Sequence, residues 1–472
     1  MHIRSGSLRR TLISGTVAAI GAAGALPGLA VATQATASVA PIPAITGNLV
    51  GHMVGAQVPT TAQCLADFAI PCYSGTQLEN HYGLPTLYAG GWNGKGSTIA
   101  IVDAYGSPTI RADLKTFDAE LGLPNPKLTI IHPVGAIPPF DPTNGTMVGW
   151  AEETTLDVEM SHSMAPGANI LLVETPVAET EGVTGFPQIV AAENYVINHH
   201  MADVISQSFG ATEQTFPTAQ SLLNLRSAYK NAARNNVTVL ASSGDNGATN
   251  AFLDGTCCYA HRVDSWPSSD PLVTSLGGTQ IHPNASGTGP SAVRNDTVWD
   301  DLNSAVGGPP TDPTTCCGGG GGKSIIFSRP AFQNSVADVV GAHRGSPDIS
   351  MSAAVDGAAL VYLSFEPLTP GWYLFGGTSE ASPLFSGIVA IADQIAGHRL
   401  GDINPTLYAI EGKSSSGIVD VTSGINTFIF DNAHNGNQLT TVTGFAAGPG
   451  YDLSSGLGTI WAPLLAKALA KG

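Results

Sequence analysis

The octapeptide at 376–383 (GGTSEASP) places Ser379 in a glycine turn directly before an apolar, helical run. The two glycines let the backbone turn sharply and let a substrate approach closely. The start of the following helix directs free N–H groups and the positive end of its dipole at negative charge that develops beside the serine. The octapeptide therefore predicts a nucleophile. The alternative interpretation is an ordinary Ser/Thr N-cap before a buried helix.

Two carboxylates four residues apart, Glu153 and Asp157, share one face of a helix predicted over 150–163. Adjacent carboxylates repel each other, so one tends to hold a proton and to hydrogen-bond to the other. Such a pair can act as a general base in acid, where histidine is already protonated. A solvated acidic helix face explains the pattern equally well. Glu152 and Glu159 are rival bases, but neither has a carboxylate four residues away.

A third candidate, Asp245, lies in the Gly-flanked turn Ser243-Gly244-Asp245 directly after a β-rich run. Catalytic groups of α/β sheets collect at the carboxyl ends of strands. A protonated aspartic acid in an apolar site can donate a hydrogen bond to a developing oxyanion. The alternative is an aspartate that only stabilises the turn.

Histidine is a weaker candidate for the base. None of the 12 histidines lies in the H-G-T turn that subtilisin-like enzymes use, and His132 and His162 lie at or near the ends of predicted elements. Two further hypotheses remain open: a subtilisin-like Ser-His-Asp hydrolase that uses Asp103, and a catalytically silent secreted binding protein of the same fold.

Apolar β-rich runs alternate with helical stretches from residue 73 onward. This alternation predicts an α/β fold with a mostly parallel sheet flanked by helices, in a single large domain. The predicted strands are 97–102, 128–132, 169–173, 203–208, 237–242, 272–276, 349–354 and 359–364. The predicted helices are 150–163, 187–200, 219–235, the run after Ser379 and a short C-terminal helix.

The composition is acidic and poor in charge. The 472 residues carry 36 Asp and Glu against 19 Lys and Arg, a net charge of −17. Nucleic acid is excluded as a partner, because phosphate contacts need clustered basic residues. A fold with few ion pairs also suits a protein that works in acid, where salt bridges to carboxylates are lost on protonation.

The N-terminus predicts export. Three arginines precede an apolar run over 12–31, and an A-x-A site follows at 35–37. We therefore predict a signal peptide at 1–37, a linker or extended arm at 38–72, a catalytic domain at 73–472 and a secreted protein. No later segment offers about 18 uninterrupted apolar residues, so no membrane association is expected after signal removal.

Six cysteines agree with an oxidising compartment. Cys64 and Cys72 are close enough in sequence to form a bridge. Cys257-Cys258 and Cys316-Cys317 are two pairs of adjacent cysteines. Two disulfides that link one pair to the other would use all four of these cysteines. The spacing leaves the pairing open.

Together these motifs resemble the sedolisin family, the serine-carboxyl peptidases, from about residue 73 to the C-terminus. The motifs that carry the resemblance, in chain order, are Tyr73-Ser74-Gly75, Asp103-Ala104-Tyr105, Glu153-x-x-Leu156-Asp157, Ala165-Pro166-Gly167, Ser243-Gly244-Asp245, Arg344-x-x-Pro347-Asp348 and Gly377-Thr378-Ser379. The resemblance implies a subtilisin-like fold and acid endopeptidase activity. It implies that Ser379 is the nucleophile, Glu153 the base, Asp157 its partner and Asp245 the oxyanion-hole donor.

The resemblance also implies one calcium ion near the C-terminus. The matching pattern is Asp420-Val421 with Gly448-Pro449-Gly450-Tyr451-Asp452. The carbonyls of Val421, Gly448 and Gly450 and the carboxylates of Asp420 and Asp452 would supply five oxygens, and water the remainder. The expected partners are protein or peptide substrates, and the expected state is a monomer.

Three features depart from the family or mislead. About 35 residues lie between the predicted signal and the catalytic region, fewer than the long prodomain that the family usually carries. Glu380 follows the nucleophile where a small residue is usual, and we expect it to add a charge at the mouth of the site or to favour the first helical turn. The glycines at 318–322 before Lys323 mimic a phosphate loop but fail its spacing at Cys317, so we predict a flexible loop.

Overall fold

The computed structural model describes residues 48–282, 293–301 and 317–472. All of these residues belong to one structural unit, Pro41–Gly472. The predicted signal peptide, the first residues of the predicted linker and Cys316 lie outside the described residues. No helix among the described residues is both long enough and apolar enough to cross a lipid bilayer.

Twenty strands and twelve α-helices are described. The strands are β1 (Asn48–Val54), β2 (Cys72–Tyr73), β3 (Thr98–Ala104), β4 (Leu128–Ile131), β5 (Asn169–Thr175), β6 (Val204–Gln207), β7 (Ala211–Thr212), β8 (Thr238–Ser242), β9 (Ser265–Trp266), β10 (Thr274–Gln280), β11 (Thr297–Val298), β12 (Gly322–Ser328), β13 (His343–Ser346), β14 (Ile349–Ser352), β15 (Ala358–Leu363), β16 (Gly371–Gly376), β17 (Ile418–Val419), β18 (Phe428–Asn432), β19 (Gln438–Val442) and β20 (Thr459–Ile460). The helices are α1 (Thr61–Phe68), α2 (Gly75–Tyr82), α3 (Leu84–Ala89), α4 (Ile110–Leu121), α5 (Gly145–Met164), α6 (Phe186–Asn198), α7 (Ala219–Leu223), α8 (Ser227–Arg234), α9 (Ala337–Val340), α10 (Thr378–Ala396), α11 (Asn404–Ile410) and α12 (Ala462–Leu469).

An eight-stranded sheet forms the centre, with the strand order β11-β10-β8-β6-β3-β5-β4 and β14 paired with β10. Its pairings are parallel, except that β10 and β11 are antiparallel. The predicted α/β fold with a mostly parallel sheet is therefore confirmed. The predicted helix over 219–235 is instead two helices, α7 and α8.

The two faces of this sheet are covered by different helices, because successive side chains of a strand point to opposite sides. On β3, Ile99 and Ile101 belong to the core that contains α5 and α10. Ala100 and Val102 belong to the core on the other face, with α6 and α8. Both faces are thus apolar, as parallel sheets require.

The helices α5 and α10 pack directly against each other beneath the sheet. Small residues allow the close approach: a Cβ on Gly387 of α10 would lie 2.4 Å from Cβ of Met164 of α5. The hydroxyls of Ser161 and Ser386 lie 3.0 Å apart across the same contact. This packing brings the carboxylates of α5 towards the start of α10.

The described part of the segment 38–72, predicted as a linker or an extended arm, is paired and cross-linked to the rest of the fold. Strand β1 pairs antiparallel with β16 along its length, up to Asn48 opposite Gly376. Helix α1 is joined to β2 by the disulfide Cys64–Cys72, and β2 pairs with β15 in the same four-stranded sheet. The segment therefore supports the strand that leads into the nucleophile turn.

The vicinal cysteines Cys257 and Cys258 are bonded to each other. The expectation of cross-links between the two vicinal pairs is therefore wrong for this pair. The disulfide contacts the hairpin β18–β19 through Phe428, Phe430 and Val442. It closes a small apolar cluster that fixes the hairpin to the loop after β8.

Candidate active site

The nucleophile candidate Ser379 is the second residue of α10 and is buried. Gly377 precedes the helix with φ 135°, a conformation that L side chains rarely adopt. A Cβ on Gly376 would lie 2.6 Å from the backbone N of Val355. Ser379 Oγ has no hydrogen-bond partner among the described residues, so the structure shows no hydrogen bond between it and the candidate base Glu153.

Asp245 lies against the same turn. Its Oδ1 accepts hydrogen bonds from the backbone N–H and from the hydroxyl of Thr378, both at 2.8 Å. The N–H of Gly244 donates to the Thr378 hydroxyl at 3.0 Å. The loop after β8 and the start of α10 are therefore held together within one residue of Ser379.

Glu153 and Asp157 lie on α5 and are both fully buried. The interpretation of α5 as a solvated acidic face is wrong for these positions. Burial raises the pKa of Asp157 well above its usual range, and the charges of Asp103 and Glu153 raise it further. Burial likewise raises the pKa of Asp103 to about 7.

Ser208, a residue that the sequence analysis did not single out, connects α5 to the nucleophile turn. Its hydroxyl donates to Asp157 Oδ1 at 2.8 Å and lies 3.4 Å from the carbonyl oxygen of Ser379. That carbonyl lacks its usual helical partner, because Pro383, four residues later, has no N–H. The signal available in the sequence was a serine at the last position of the predicted strand 203–208, at the edge of the sheet where sites form.

The rival carboxylates have other environments. Glu159 Oε2 accepts the N–H of Tyr362 in β15 at 2.9 Å, which ties Glu159 to the four-stranded sheet. Glu152 is half-buried, and burial raises its pKa to about 7. Neither makes a contact with Ser379 among the hydrogen bonds of the described residues.

The histidines singled out in the sequence pair elsewhere. His132 Nε2 lies 2.7 Å from Glu174 Oε2, and His162 Nε2 lies 3.1 Å from Asp118 Oδ1. No described histidine hydrogen-bonds to Ser379 Oγ.

Glu380 is fully buried, so the expectation of a charge at the mouth of the site is wrong. No described residue makes a hydrogen bond of normal geometry to either of its carboxyl oxygens. Burial raises its pKa from 4.5 to about 8, and the nearby Ser352 hydroxyl offsets only part of this effect. A neutral carboxyl group therefore lies beside the nucleophile throughout the acid range.

The glycines at 318–322 are buried and closely packed, which corrects the prediction of a flexible loop. A Cβ on Gly320 would lie 2.2 Å from the carbonyl oxygen of Ser243, and one on Gly321 would lie 2.1 Å from that of Leu453. The run contains only glycine because neighbouring backbone leaves no room for side chains.

The two segments predicted to bind calcium lie next to each other. The N–H of Gly450 donates to Asp420 Oδ2 at 2.9 Å, and that of Gly448 donates to Asp452 Oδ2 at 3.1 Å. Burial raises the pKa of Asp420, and the charge of Asp452 raises it further. The two segments thus bring two carboxylates together beside glycine turns, and Asp452 Oδ1 also accepts hydrogen bonds from the N–H and hydroxyl groups of Ser454 and Ser455.

No group of three or more His, Cys, Asp or Glu side chains in the described ranges could hold a metal ion. The predicted site would instead combine two carboxylates with the carbonyls of Val421, Gly448 and Gly450. Oxygen-only donors of this kind suit calcium rather than zinc.

The chain is similar in sequence and fold to known proteins. The subtilase family model matches residues 143–402, which include all four candidate catalytic residues. Kumamolisin of Bacillus sp. (strain MN-32) is 30% identical over 377 residues, which cover 78% of this chain and 59% of kumamolisin. Sedolisin of Pseudomonas sp. (strain 101) is 28% identical over 444 residues, which cover 91% of this chain and 68% of sedolisin. Human tripeptidyl-peptidase 1 is 28% identical over 335 residues, 67% of this chain and 51% of the relative.

The solved structure of Pseudomonas sedolisin, a serine-carboxyl proteinase complexed with two molecules of pseudo-iodotyrostatin, superposes with a TM-score of 0.67 at 26% identity. The match covers 85% of this chain and 99% of that chain. The fold thus defines a protein of the subtilisin-like class. The chain belongs to the subtilase family and, within it, to the sedolisins. It spans about three fifths of the length of kumamolisin.

We predict that Glu380→Gln makes stability less dependent on pH. Between pH 4.5 and about 8 the folded protein holds a proton on Glu380 that the unfolded chain releases, so the free energy of unfolding falls as pH rises. Removing the group should reduce the difference in unfolding free energy between pH 4 and pH 8, measured by urea titration, by on the order of 3 kcal/mol.

The exposed Glu120 provides the control, and Glu120→Gln should leave the difference between the two pH values unchanged. Equal pH dependence in wild type and Glu380→Gln would show that Glu380 ionises normally in the folded protein.

Proposed function

We propose that this chain is a secreted serine-carboxyl endopeptidase that hydrolyses peptide bonds of proteins at acidic pH. The observation that carries the proposal is the hydrogen-bonded connection of the Ser379 turn to Asp157, through Ser208, and to Asp245, through Thr378. The names of kumamolisin, sedolisin and tripeptidyl-peptidase 1 support the peptidase activity.

In the proposed first step Glu153 takes the proton from Ser379 Oγ, which attacks the carbonyl carbon of the scissile peptide. The tetrahedral oxyanion is held by the backbone N–H of Ser379 and by protonated Asp245. Glu153 then gives its proton to the leaving amine, and the acyl-enzyme forms. Water repeats the sequence on the acyl group and restores the hydroxyl of Ser379.

The division of roles between the two carboxyl groups of α5 follows from their environment. Asp157 holds its proton more tightly than an ordinary aspartic acid, because it is buried beside Asp103 and Glu153. In acid, Asp157 is therefore the neutral partner that donates a hydrogen bond, and Glu153 is the ionised base.

The contacts of Asp245 favour one of its two oxygens as the proton carrier. Oδ1 already accepts two hydrogen bonds from Thr378. An oxygen in that position is an acceptor, so the acidic proton resides on Oδ2 and can be donated to the oxyanion. Activity should fall when rising pH removes this proton.

Calcium binding and export complete the proposal. Asp420 and Asp452, with the carbonyls of Val421, Gly448 and Gly450, would hold one calcium ion, which would stabilise the C-terminal segment by neutralising both carboxylates. The predicted signal peptide and the disulfides support secretion.

The purified protein should degrade a denatured protein at pH 3–5 and have little activity near pH 8. Ser379→Ala should abolish turnover at every pH, because the attacking oxygen is lost. Product formation is followed by the release of new amino termini. Full activity of Ser379→Ala would refute the assignment of the nucleophile, and the absence of any wild-type activity would favour a silent binding protein.

Glu153→Gln should lower kcat by about 10²- to 10⁴-fold, because an amide cannot accept the proton of Ser379. Glu152→Gln, one residue away on the same helix, is the matched control and should retain kcat within about threefold. A tolerated Glu153→Gln, together with loss of activity on replacing one histidine, would favour the Ser-His-Asp mechanism.

Calcium should raise the midpoint of thermal unfolding of the wild type but not of Asp420→Ala, because binding to the folded state alone stabilises it. Differential scanning fluorimetry after chelation and on readdition of calcium checks this, with magnesium as the control ion. An equal response of both proteins to calcium would mean that the ion binds elsewhere.

A further inference from the structure

The glycine run at 318–322 forms a backbone ladder along the loop that carries Asp245. The N–H of Gly318 donates to the carbonyl of Asp245 at 2.9 Å, and the N–H of Gly320 donates to that of Gly244 at 2.7 Å. In the opposite direction, the N–H of Gly247 donates to the carbonyl of Gly318 at 2.8 Å. The backbone on both sides of Asp245 is therefore fixed by this run.

One buried side chain from a distant part of the sequence fastens the ladder. Asn426 is fully buried, and its Nδ2 donates to the carbonyl of Gly319 at 2.9 Å. The backbone carbonyl of Asn426 accepts a hydrogen bond from the N–H of Ala248 at 3.1 Å. Its Oδ1 accepts the N–H of Phe445 at 2.7 Å. A single residue thus joins the glycine run, the Asp245 loop and the segment after β19.

The packing around Asn426 leaves it little freedom to move. A Cβ on Gly247 would lie 2.6 Å from the carbonyl oxygen of Asn426, and one on Gly444 would lie 2.2 Å from its carbonyl carbon. Because both neighbours are glycines in contact with its backbone, the position of Asn426 defines the position of the Asp245 loop.

We propose that Asn426 is a positioning residue for Asp245. It holds the glycine run against the loop, so that Asp245 Oδ1 keeps its hydrogen bonds to Thr378 and the carboxyl group stays beside the Ser379 turn. This inference rests on the proposed role of Asp245 as oxyanion donor. Asn426 makes no contact with Ser379 among the described hydrogen bonds, so it acts only through the loop.

The consequence of losing Asn426 follows from the geometry that such a donor needs. Asn426→Ala removes the hydrogen-bond partners of the Gly319 carbonyl and of the Phe445 N–H, and the ladder loosens. A displacement of about 1 Å at a catalytic group costs on the order of 100-fold in rate. The loss should appear in kcat rather than in KM, because the donor acts on the transition state.

The test compares Asn426→Ala with Asn404→Ala in the full-length protein. Asn404 is an equally buried asparagine whose Nδ2 donates to the Val273 carbonyl at 2.9 Å and whose Oδ1 accepts the Thr274 hydroxyl at 2.8 Å, away from the site. We expect Asn426→Ala to lower kcat on the order of 10- to 100-fold with KM nearly unchanged. Asn404→Ala should leave kcat within about threefold.

Hydrogen exchange supplies a readout that does not depend on activity. Peptides covering 243–248 and 317–322 should exchange faster in Asn426→Ala, and not in Asn404→Ala. Unchanged exchange in both peptides would contradict the claim that the Asn426 side chain holds the glycine run against the Asp245 loop.

A double-mutant cycle separates this inference from the proposed function. Asp245→Asn alone should lower kcat about 10²- to 10³-fold, and adding Asn426→Ala to it should cost less than about threefold more. If Asp245→Asn retains activity, the proposed role of Asp245 is wrong. If Asp245→Asn is impaired but Asn426→Ala has the same effect with and without it, Asn426 does not act through Asp245.

Discussion

The burial of carboxyl groups around Ser379 is the constraint on which the rest of the structure depends. Asp103, Glu153, Asp157 and Glu380 are all fully buried, and no Lys or Arg forms an ion pair with Asp103, Asp157 or Glu380 among the described salt bridges. Desolvation without a counter-charge favours the protonated form, so burial raises the pKa of Asp103, Asp157 and Glu380. The chain has only 19 Lys and Arg residues in 472, so few basic side chains are present that could pair with buried carboxylates. At acid pH Asp103, Asp157 and Glu380 are protonated, so the electrostatic cost of burying them is lowest there.

The fold brings these groups together through backbone close approaches rather than through charge. Helices α5 and α10 meet at Gly387 and at the serine pair Ser161 and Ser386, which sets the distance between the carboxylates and the nucleophile turn. Strand β1 supports β16 up to Gly376, and the glycine run supports the loop of Asp245. Asp420 and Gly448 lie only a few residues along the chain from Asn426 and Phe445. The proposed calcium ion would therefore stabilise the segments that hold Asn426 against the glycine run.

The sequence predicted what is local and missed what is brought together by tertiary packing. The strands of the central sheet other than β11, helix α5 and the nucleophile turn follow from periodicity and from glycines at special positions. The spacing of Glu153 and Asp157 puts them on one face of α5. Ser208 carries only the weak local signal of a serine at the end of a predicted strand, and Asn426 carries none, because their roles depend on partners more than 100 residues away. The burial of Glu380, expected either to add a charge at the mouth of the site or to favour the first helical turn, was missed because helix spacing gives a face but not the direction in which that face packs. The pairing of β1 and the joining of Cys257 to Cys258 likewise depend on contacts that no short pattern encodes.

The most direct test of the central claim measures the reactivity of Ser379 itself across pH. The rate constant for irreversible labelling by a fluorophosphonate probe reports the activation of the hydroxyl independently of substrate specificity. A carboxylate base with protonated Asp157 and Asp245 beside it predicts a rate that is greatest in the acid range and falls towards pH 8. A rate that rises with pH to a plateau above neutrality would indicate an imidazole base and would contradict the carboxylate mechanism.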